Sequence, residues 1–212
     1  APLVPIGDEI LFSEYDYCMN LGGFSNVSFE ENNTRIAFDI SAVNTVLNFY
    51  ANQLNLDYDD KGLIAQLGKL NQYLFEELNA LPFYSKSHPK SLGFEFVKET
   101  VLPLIEKHPI SRADKMHTFT IHIAFQIGKA LSHKKAKLLI TGGGAYNDFL
   151  IEEIQKQLPE MEIIIPNKKI LEYKEALIFA LLGVLKLRGE MNVLSSVTGA
   201  KMNHSSGKIF IN

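Results

Sequence analysis

A chain of 212 residues that is 46% hydrophobic and 21% charged has the composition of an ordinary globular protein, long enough to bury one sizeable core. Its 21 basic and 24 acidic side chains give a formal charge of −3 without long blocks of like charge, which argues against nucleic-acid or anionic-membrane partners. The single cysteine, Cys18, cannot form an internal disulfide, so we expect a reducing compartment, the cytoplasm.

The sequence shows neither the pattern of a signal peptide nor that of a membrane-spanning helix. The chain opens APLVPIGDE, with neither a basic nor an apolar leader, so we expect no signal peptide, and the start without Met suits a fragment. The longest apolar run, 176–185, is only about half of the roughly 20 residues that a bilayer-spanning helix needs. It predicts a buried core helix.

Three strand-like segments come first in the chain. They lie at 17–21, 26–30 and 35–39, and each is rich in β-branched or aromatic residues. Two glycines at 22–23 separate the first pair, and the sequence ENNT at 31–34 separates the second pair. The segments therefore predict an antiparallel meander.

Helical patterns fill the middle of the chain, where apolar residues recur on one face of a helix. A loop rich in Pro, Ser and Lys at 82–91 interrupts them. The predicted helices are 41–54, 64–78, 94–105 and 117–131.

The last third of the chain predicts a strand-helix-strand unit. Apolar runs at 136–140 and 162–165 flank a helix at 149–158, and such a unit is expected to be parallel and right-handed. A helix at 172–187 follows, and the C-terminal segment is predicted to be a loop that ends in a short strand. The order of elements indicates an α/β or α+β fold in one domain, 1–212.

The strongest local signal for a ligand site is TGGGAYN at 141–147. Three glycines directly after a buried strand let the backbone approach a ligand at the carboxyl end of the sheet. The next helix, with Asn147 or Asp148 as its N-cap, would present free N–H groups to an anion or a nucleotide. The stretch is neither a Walker A nor a G-x-G-x-x-G motif, so a plain tight turn stays open as the alternative.

Three further candidates each have a structural alternative. Gly22 and Gly23 either form an ordinary hairpin or leave N–H groups free for a phosphate. Asp39 ends a strand just before a helix, so its carboxylate would either reach Mg²⁺ or a sugar hydroxyl, or cap that helix. Glu175 lies near a predicted helix start, where favourable interaction with the helix dipole is the alternative.

Seven motifs in fixed order resemble the anhydro-N-acetylmuramic acid kinases. The likeness spans nearly the whole chain, but only the second half of such a kinase. The motifs are APLVP at 1–5, NLGGFSN at 20–26, Asp39 with Asn44, KSLGFEF at 90–96, TGGGAYN at 141–147, EALIFALL at 175–182 and SVTGA at 196–200.

The resemblance implies a fold and a reaction. That family belongs to the sugar kinase/Hsp70/actin superfamily, in which two RNase H-like lobes hold ATP and a sugar in the cleft between them. This chain would be the C-terminal, actin-type ATPase lobe, with a mixed five-stranded sheet of an antiparallel meander plus parallel strands, flanked by helices. The family opens the 1,6-anhydro ring of its amino sugar and phosphorylates O6 with ATP and Mg²⁺, in recycling of cell-wall sugars.

The resemblance also implies roles for single residues. NLGGFSN would be the second phosphate loop and TGGGAYN the adenosine loop. Asp39 and Glu175 would lie on the sugar side or bind the metal. The implied ATP contacts are Gly22, Gly23 and Asn26 for phosphate, and Gly142, Gly143, Gly144 and Asn147 for the nucleoside.

Two departures from the family pattern leave other functions open. The first phosphate loop and the catalytic aspartate of the family precede the matched region, so this chain alone is expected to be inactive without the N-terminal lobe. The family sequence DTGPGN reads DISAVN at 39–44, which loses the backbone freedom of two glycines. The alternatives are a non-catalytic binding or regulatory remnant and an N-acetylhexosamine kinase, and the oligomeric state, including a homodimer, stays open.

Overall fold

A five-stranded sheet organises the computed structural model, which describes residues 3–131 and 135–210. The strand order is β3-β2-β1-β4-β5. The first three strands form an antiparallel meander, and β4 and β5 extend the sheet in parallel with β1, which confirms the predicted mixed sheet. The strands are β1 Tyr17–Leu21, β2 Phe24–Glu31, β3 Thr34–Ala42, β4 Lys137–Thr141 and β5 Glu162–Ile164.

Helices cover both faces of this sheet. Among the described residues, a π-helical stretch at Val97–Val101 joins two of them into one continuous segment. The α-helices are α1 Val4–Leu11, α2 Asn44–Asn52, α3 Leu63–Leu67, α4 Gln72–Asn79, α5 Phe94–Phe96, α6 Leu102–Glu106, α7 Arg112–Ala130, α8 Asp148–Gln157, α9 Lys168–Leu187 and α10 Ser195–Thr198.

The alternation of side chains along β1 divides the interior into two clusters. Met19 and Leu21 point into the larger cluster, which lies under α2, α4, α7 and α8. Cys18 points to the opposite face and packs with Ile178 of α9 in a smaller cluster that also includes α1. Because successive strand residues face opposite sides, one strand supplies both cores. The prediction that Cys18 is a core residue is confirmed, since it is 2% exposed.

The first helix, α1, was not predicted from the sequence. The helix carries one proline and two acidic residues, but Pro5 occupies the first turn, where proline is tolerated because its missing N–H would be unpaired anyway. Gly7 lets α1 approach α9 closely, since a Cβ there would lie 2.5 Å from the Ile178 side chain. The first two residues of the APLVP motif lie outside the described residues.

Several predicted boundaries were wrong, and the helix predicted at 117–131 is α7, which begins at Arg112. The helix predicted at 64–78 is two helices, because Gly68 lies against the backbone of Ala113 and Asn71 caps a new helix by accepting the N–H of Leu74. The helix predicted at 172–187 begins at Lys168, capped by Asn167. The predicted C-terminal strand does not form within residues 205–210, and 211–212 lie outside the described part.

The apolar run at 176–185 lies in α9 and is only partly buried. Ile178, Leu182 and Leu185 pack against the sheet, whereas Leu177 and Val184 are exposed. The prediction of a buried core helix was therefore wrong, because the helix buries only one stripe of its surface. Within the described part of the chain, no helix combines the length and the apolar character needed to cross a bilayer.

Candidate functional site

A row of polar side chains crosses four neighbouring strands of the sheet. Asn20 of β1 pairs with Asn26 of β2 and with Thr141 of β4, and Asn26 pairs in turn with Asp39 of β3. Directly paired residues point to the same face of a sheet, so these four side chains are neighbours. All four line a cavity of about 590 Å³. The sheet therefore presents amide, hydroxyl and carboxylate groups to a single cavity.

A β-bulge in β3 aims Asp39 into this row. Ser25 and Asn26 pair with Ser41 and Asp39, so that Ile40 is an extra residue on its strand. Ser25 Oγ fixes the bulge by accepting the N–H of Ser41 at 3.0 Å and donating to its carbonyl at 3.2 Å. Such a bulge re-aims side chains locally. Ile40 consequently lies in the core at 1% exposure, while Asp39 lines the cavity.

The Gly22-Gly23 turn is both a hairpin and a wall of the cavity. It joins β1 to β2 in two residues, as predicted, and both glycines line the cavity. The Gly23 carbonyl accepts the N–H of Val43 at 2.8 Å and the hydroxyl of Thr45 at 2.7 Å, which braces the turn on the start of α2. The Gly22 N–H donates to Phe24, whereas the Gly23 N–H has no acceptor within the described ranges. One amide of the turn is therefore available to a ligand.

The three glycines after β4 differ in what they do. Gly142 has φ of +87°, and a Cβ there would lie 2.8 Å from the Leu21 carbonyl oxygen. A Cβ on Gly144 would lie 2.7 Å from Leu21 Cβ. Gly143 is exposed to the cavity, and the nearest atom to a Cβ there is Asn44 Nδ2 at 3.6 Å. Gly142 and Gly144 therefore allow the loop to pack against β1, and Gly143 is the one with open space above it.

Two residues predicted to contact the nucleoside lie outside the cavity lining. Gly144 is buried against Leu21, as just described. Asn147 is 7% exposed, and its Oδ1 accepts the N–H of Leu150 at 2.9 Å. Its role as N-cap of α8 is the capping alternative that the sequence offered for this position.

Asp39 does not cap α2, which was one of its two predicted roles. Strand β3 continues to Ala42, and α2 begins only at Asn44. Instead, Asp39 Oδ2 accepts the N–H of Leu92 at 2.8 Å, and the N–H of Asp39 donates to the Lys90 carbonyl at 3.1 Å. Asp39 therefore anchors the loop that follows residue 88 to the edge of the cavity.

Glu175 lines the cavity with an exposed side chain. Because α9 begins at Lys168, Glu175 lies about two turns inside the helix. The helix-dipole role is restricted to the first turn, so that alternative was wrong. The same cavity thus brings together Gly22, Gly23, Asn26, Asp39, Gly142, Gly143 and Glu175 among the predicted site residues.

Sequence reasoning missed several residues of this cavity. Asn20 lies between the two glycine loops, since a Cβ on Gly142 would lie 2.6 Å from its Oδ1 and a Cβ on Gly22 would lie 3.0 Å from its Nδ2. The exposed ring of Tyr146 lines the cavity, and its hydroxyl donates to Glu172 Oε1 at 3.1 Å. Asn20 and Tyr146 belong to the motifs NLGGFSN and TGGGAYN, so the motifs themselves carried the signal.

A buried ionic network lies beneath the cavity. Lys174 Nζ is 2.7 Å from Asp8 Oδ1, and both side chains are almost fully buried. Ser28 Oγ donates to Asp8 Oδ2 at 2.5 Å, and Arg35 Nη2 donates to Ser28 Oγ at 2.8 Å. Burial, reinforced by the Asp8 charge, raises the pKa of the Cys18 thiol to about 11, so this thiol stays protonated at neutral pH. The network joins α1 and α9 to the sheet.

The fold has a counterpart among solved structures. Component A of the (R)-2-hydroxyglutaryl-CoA dehydratase of Acidaminococcus fermentans superimposes with a TM-score of 0.51 at 18% identity, over 85% of this chain and 65% of that one. This likeness, with the mixed sheet and its flanking helices, shows the class of protein by its fold: the RNase H-like sheet of the actin-type ATPase fold.

The sequence comparisons identify the family. The sequence model of the family described as anhydro-N-acetylmuramic acid kinase matches residues 1–212. Anhydro-N-acetylmuramic acid kinases of Caldanaerobacter subterraneus and Francisella tularensis are 31% and 34% identical, over 99% of this chain in each case. This chain belongs to the anhydro-N-acetylmuramic acid kinase family, and the resemblance seen in its motifs is confirmed. It spans 58% and 59% of the length of those two relatives.

Proposed function

We propose that this chain is the C-terminal, nucleotide-binding lobe of an ATP-dependent anhydro-N-acetylmuramic acid kinase. One observation carries the proposal: both glycine loops, Asp39 and Glu175 line the same cavity, although they come from separate elements of the chain. The names of the relatives support the substrate, and the chain's 58–59% share of their length supports the assignment to one lobe. Sugar recycling in the cytoplasm is part of the same proposal.

The nucleotide would lie along the two glycine loops. The available amide of Gly23 would donate to a phosphate oxygen, with Asn26 beside it, because backbone N–H groups in a tight turn make an anion site. The open side of Gly143 would contact the nucleoside, since no Cβ stands there. The exposed ring of Tyr146 offers an aromatic surface at the same end of the cavity. These roles follow from where open backbone and aromatic groups lie.

The two carboxylates suit a magnesium ion that is shared with the phosphates. Asp39 and Glu175 both line the cavity, and Asp39 Oδ2 is engaged with the Leu92 amide, which leaves Oδ1 for a cation. No cluster of three or more His, Cys, Asp or Glu side chains that could hold a metal occurs in the described residues. Mg²⁺ commonly takes one or two carboxylates and completes its shell with phosphate oxygens and water. Bound there, it would neutralise charge on the transferred phosphoryl group.

The exposed side of α9 supports a second lobe in the parent protein. Several of its apolar residues are exposed, and Tyr173, Leu177, Val184 and Leu187 recur at the spacing of one helix face, which suits an interface. In the proposal, the N-terminal lobe covers this face and supplies the first phosphate loop and the carboxylate that activates water for opening of the anhydro ring. The exposed apolar residues are Tyr173, Leu177, Phe179, Val184 and Leu187.

One observation favours the rival function of a non-catalytic remnant. In the segment DISAVN, Ser41 and Val43 stand where the family has glycines, and both are fully buried at the end of β3 and the start of α2. A packed segment has little freedom to move with a substrate. Asn44, however, still lies beside Gly143. The rival therefore predicts nucleotide binding without sugar-dependent turnover.

The test is a turnover assay on the full-length protein that contains this chain. We expect release of ADP that depends on anhydro-N-acetylmuramic acid in the presence of ATP and Mg²⁺. Glu175→Gln, which removes a cavity carboxylate, should lower kcat at least about tenfold, and the matched Glu152→Gln, at an exposed position of α8, should not. ATP binding without turnover on any sugar would favour the remnant. ADP release with N-acetylglucosamine alone would favour an N-acetylhexosamine kinase.

A further inference from the structure

One extra residue in β3 decides which face of the sheet Asp39 occupies. The bulge lies between the Ser25–Ser41 pair and the next pair, which Asp39 forms with β2. A ladder that ran on regularly from the first pair would place Asp39 opposite Val27, whose side chain lies in the core at 1% exposure. Because a shift of one residue moves a side chain to the other face of a sheet, the position of Asp39 at the cavity requires the bulge.

Both ends of β3 are fixed, so the extra residue cannot be removed by sliding the strand. At its start, β3 is joined to β2 by the two-residue turn 32–33. Just beyond its end, the N–H of Val43 donates to the Gly23 carbonyl at 2.8 Å. The bulge must therefore be accommodated between these two anchors, and its shape decides where the Asp39 carboxylate points.

The Ser25 hydroxyl holds the bulge in shape. It accepts the N–H of Ser41 at 3.0 Å and donates to the Ser41 carbonyl at 3.2 Å, so one side chain serves both backbone groups of that residue. Both serines are fully buried. The Ser41 hydroxyl has other contacts, since it donates to the Ala42 carbonyl at 3.0 Å and lies 3.4 Å from the Tyr84 hydroxyl. This brace therefore uses the side chain of Ser25 and only the backbone of Ser41.

The loop 90–92 holds Asp39 from the other side. The N–H of Asp39 donates to the Lys90 carbonyl at 3.1 Å, and the N–H of Leu92 donates to Asp39 Oδ2 at 2.8 Å. One carboxylate oxygen is thus fixed by the loop, while the bulge fixes the backbone that carries the carboxylate. A rotation of the strand at the bulge would disturb the Leu92 hydrogen bond and turn Oδ1 away from the cavity.

We propose that Ser25 is a positioning residue, whose hydroxyl acts through the bulge to direct the Asp39 carboxylate towards a cation that accompanies the nucleotide. The inference rests on the proposed kinase function, in which Asp39 contributes to the magnesium site. Ser25 is fully buried and cannot touch a ligand itself, so it acts through Asp39. Loss of a group that orients a metal-binding side chain commonly lowers metal affinity about 10–100-fold. The brace also lets the packed segment DISAVN present its carboxylate without the glycines of the family pattern.

Calorimetry on the full-length protein that contains this chain tests the effect on the cation. The probe is a non-hydrolysable ATP analogue, and the quantity compared is the factor by which Mg²⁺ tightens its binding. Ser25→Ala and Asp39→Asn should each lower this factor about tenfold or more and change metal-free binding less than about twofold. Ser41→Ala, the matched control, removes an equally buried hydroxyl but leaves the brace, so the factor should stay unchanged. Ser25→Thr keeps a hydroxyl and should retain most of the factor.

A second measurement reports the position of Asp39 without any ligand. The Leu92 amide proton is hydrogen-bonded to Asp39 Oδ2, so its NMR resonance in the unliganded full-length protein depends on where that carboxylate lies. The resonance should shift in Ser25→Ala and stay in place in Ser41→Ala. If Ser25→Ala is too unstable to measure, Ser25→Cys replaces it in both experiments, because a thiol fills the same space but is a weak donor and acceptor.

Several outcomes would overturn the proposal. An unchanged Mg²⁺ factor in Ser25→Ala beside a lowered one in Asp39→Asn would show that Asp39 does not depend on Ser25. An equal loss in Ser41→Ala would reduce the effect to general packing. An unchanged factor in both Ser25→Ala and Asp39→Asn would refute the metal role of Asp39 and this inference with it. A Leu92 resonance that shifts in Ser25→Ala, in a protein that releases no ADP, would instead refute the kinase and support the positioning of Asp39 by Ser25.

Discussion

Replacement of Gly143 by larger residues is the sharpest test of the glycine loop. The nearest atom to a Cβ at this position is Asn44 Nδ2 at 3.6 Å, which is ordinary contact, and Gly143 is not among the residues with positive φ. Alanine or valine should therefore be accepted by the fold, with a change in the free energy of unfolding of about 0.5 kcal/mol or less. Their side chains would instead occupy space in the cavity that we assign to the nucleoside.

The expected effect on nucleotide binding follows from this geometry. Because the ligand would lie against open backbone, the three extra carbons of Gly143→Val should weaken affinity for a non-hydrolysable ATP analogue at least tenfold, or about 1.4 kcal/mol. Gly143→Ala should lie between the wild type and the valine variant. Calorimetry would measure the affinity, and urea unfolding would measure stability.

Two other glycines provide controls for this experiment. Gly183 on α9 has no atom within 4 Å of a Cβ, so Gly183→Ala should leave affinity unchanged and stabilise the protein by about 0.5–1 kcal/mol. Gly142→Ala combines positive φ with a clash against the Leu21 carbonyl, so its main effect should be a loss of stability. Unchanged affinity in a stable Gly143→Val protein would refute the assignment of this loop to the nucleoside.

Two further predictions concern stability. His122 is fully buried, and its Nδ1 lies 2.8 Å from Asn79 Oδ1; burial lowers its pKa from 6.5 to about 3. The unfolded chain therefore binds a proton at pH 5 that the folded chain does not bind. His122 should lower the free energy of unfolding by about 2 kcal/mol as the pH falls from 7 to 5. His122→Gln should remove this pH dependence, as measured by urea unfolding. Lys174→Met leaves the buried Asp8 carboxylate without its counter-ion and should lower the free energy of unfolding by about 3–5 kcal/mol. Adding Asp8→Asn should recover part of that loss.

Each of these stability predictions has a result that would contradict it. An unchanged pH slope in His122→Gln would mean that other groups carry the acid sensitivity. Additive losses in the Lys174 and Asp8 double variant would mean that the two charges do not depend on each other, since paired groups give a coupling energy.

The sequence predicted the elements with strong local patterns. The strands around Gly22 and Gly23 and the strand-helix-strand unit around TGGGAYN were found, because apolar runs of strand length and glycine turns are local signals. Helix α1 was missed because Pro5 and two acidic residues obscured the pattern of a short helix that packs against α9. The break at Gly68 was missed for a related reason: its cause is the backbone of Ala113, which is far away along the chain.

The sequence motifs predicted which segments form the cavity, but they did not predict how the side chains are arranged in it. The row of Asn20, Asn26, Asp39 and Thr141 depends on strand register and on the bulge at Ile40, neither of which a local pattern encodes.

The Lys174–Asp8 pair acts together with the packed residues Ile178 and Leu182 to set the rotation of α9 about its own axis. Consecutive helix residues are about 100° apart, so with Lys174 directed into the protein, Glu175 is turned towards the cavity. The carboxylate we assign to the metal is thus aimed by an ion pair that does not contact it. Substitutions at Asp8, on a different helix, would therefore alter the direction of Glu175 while every residue around the nucleotide stays the same.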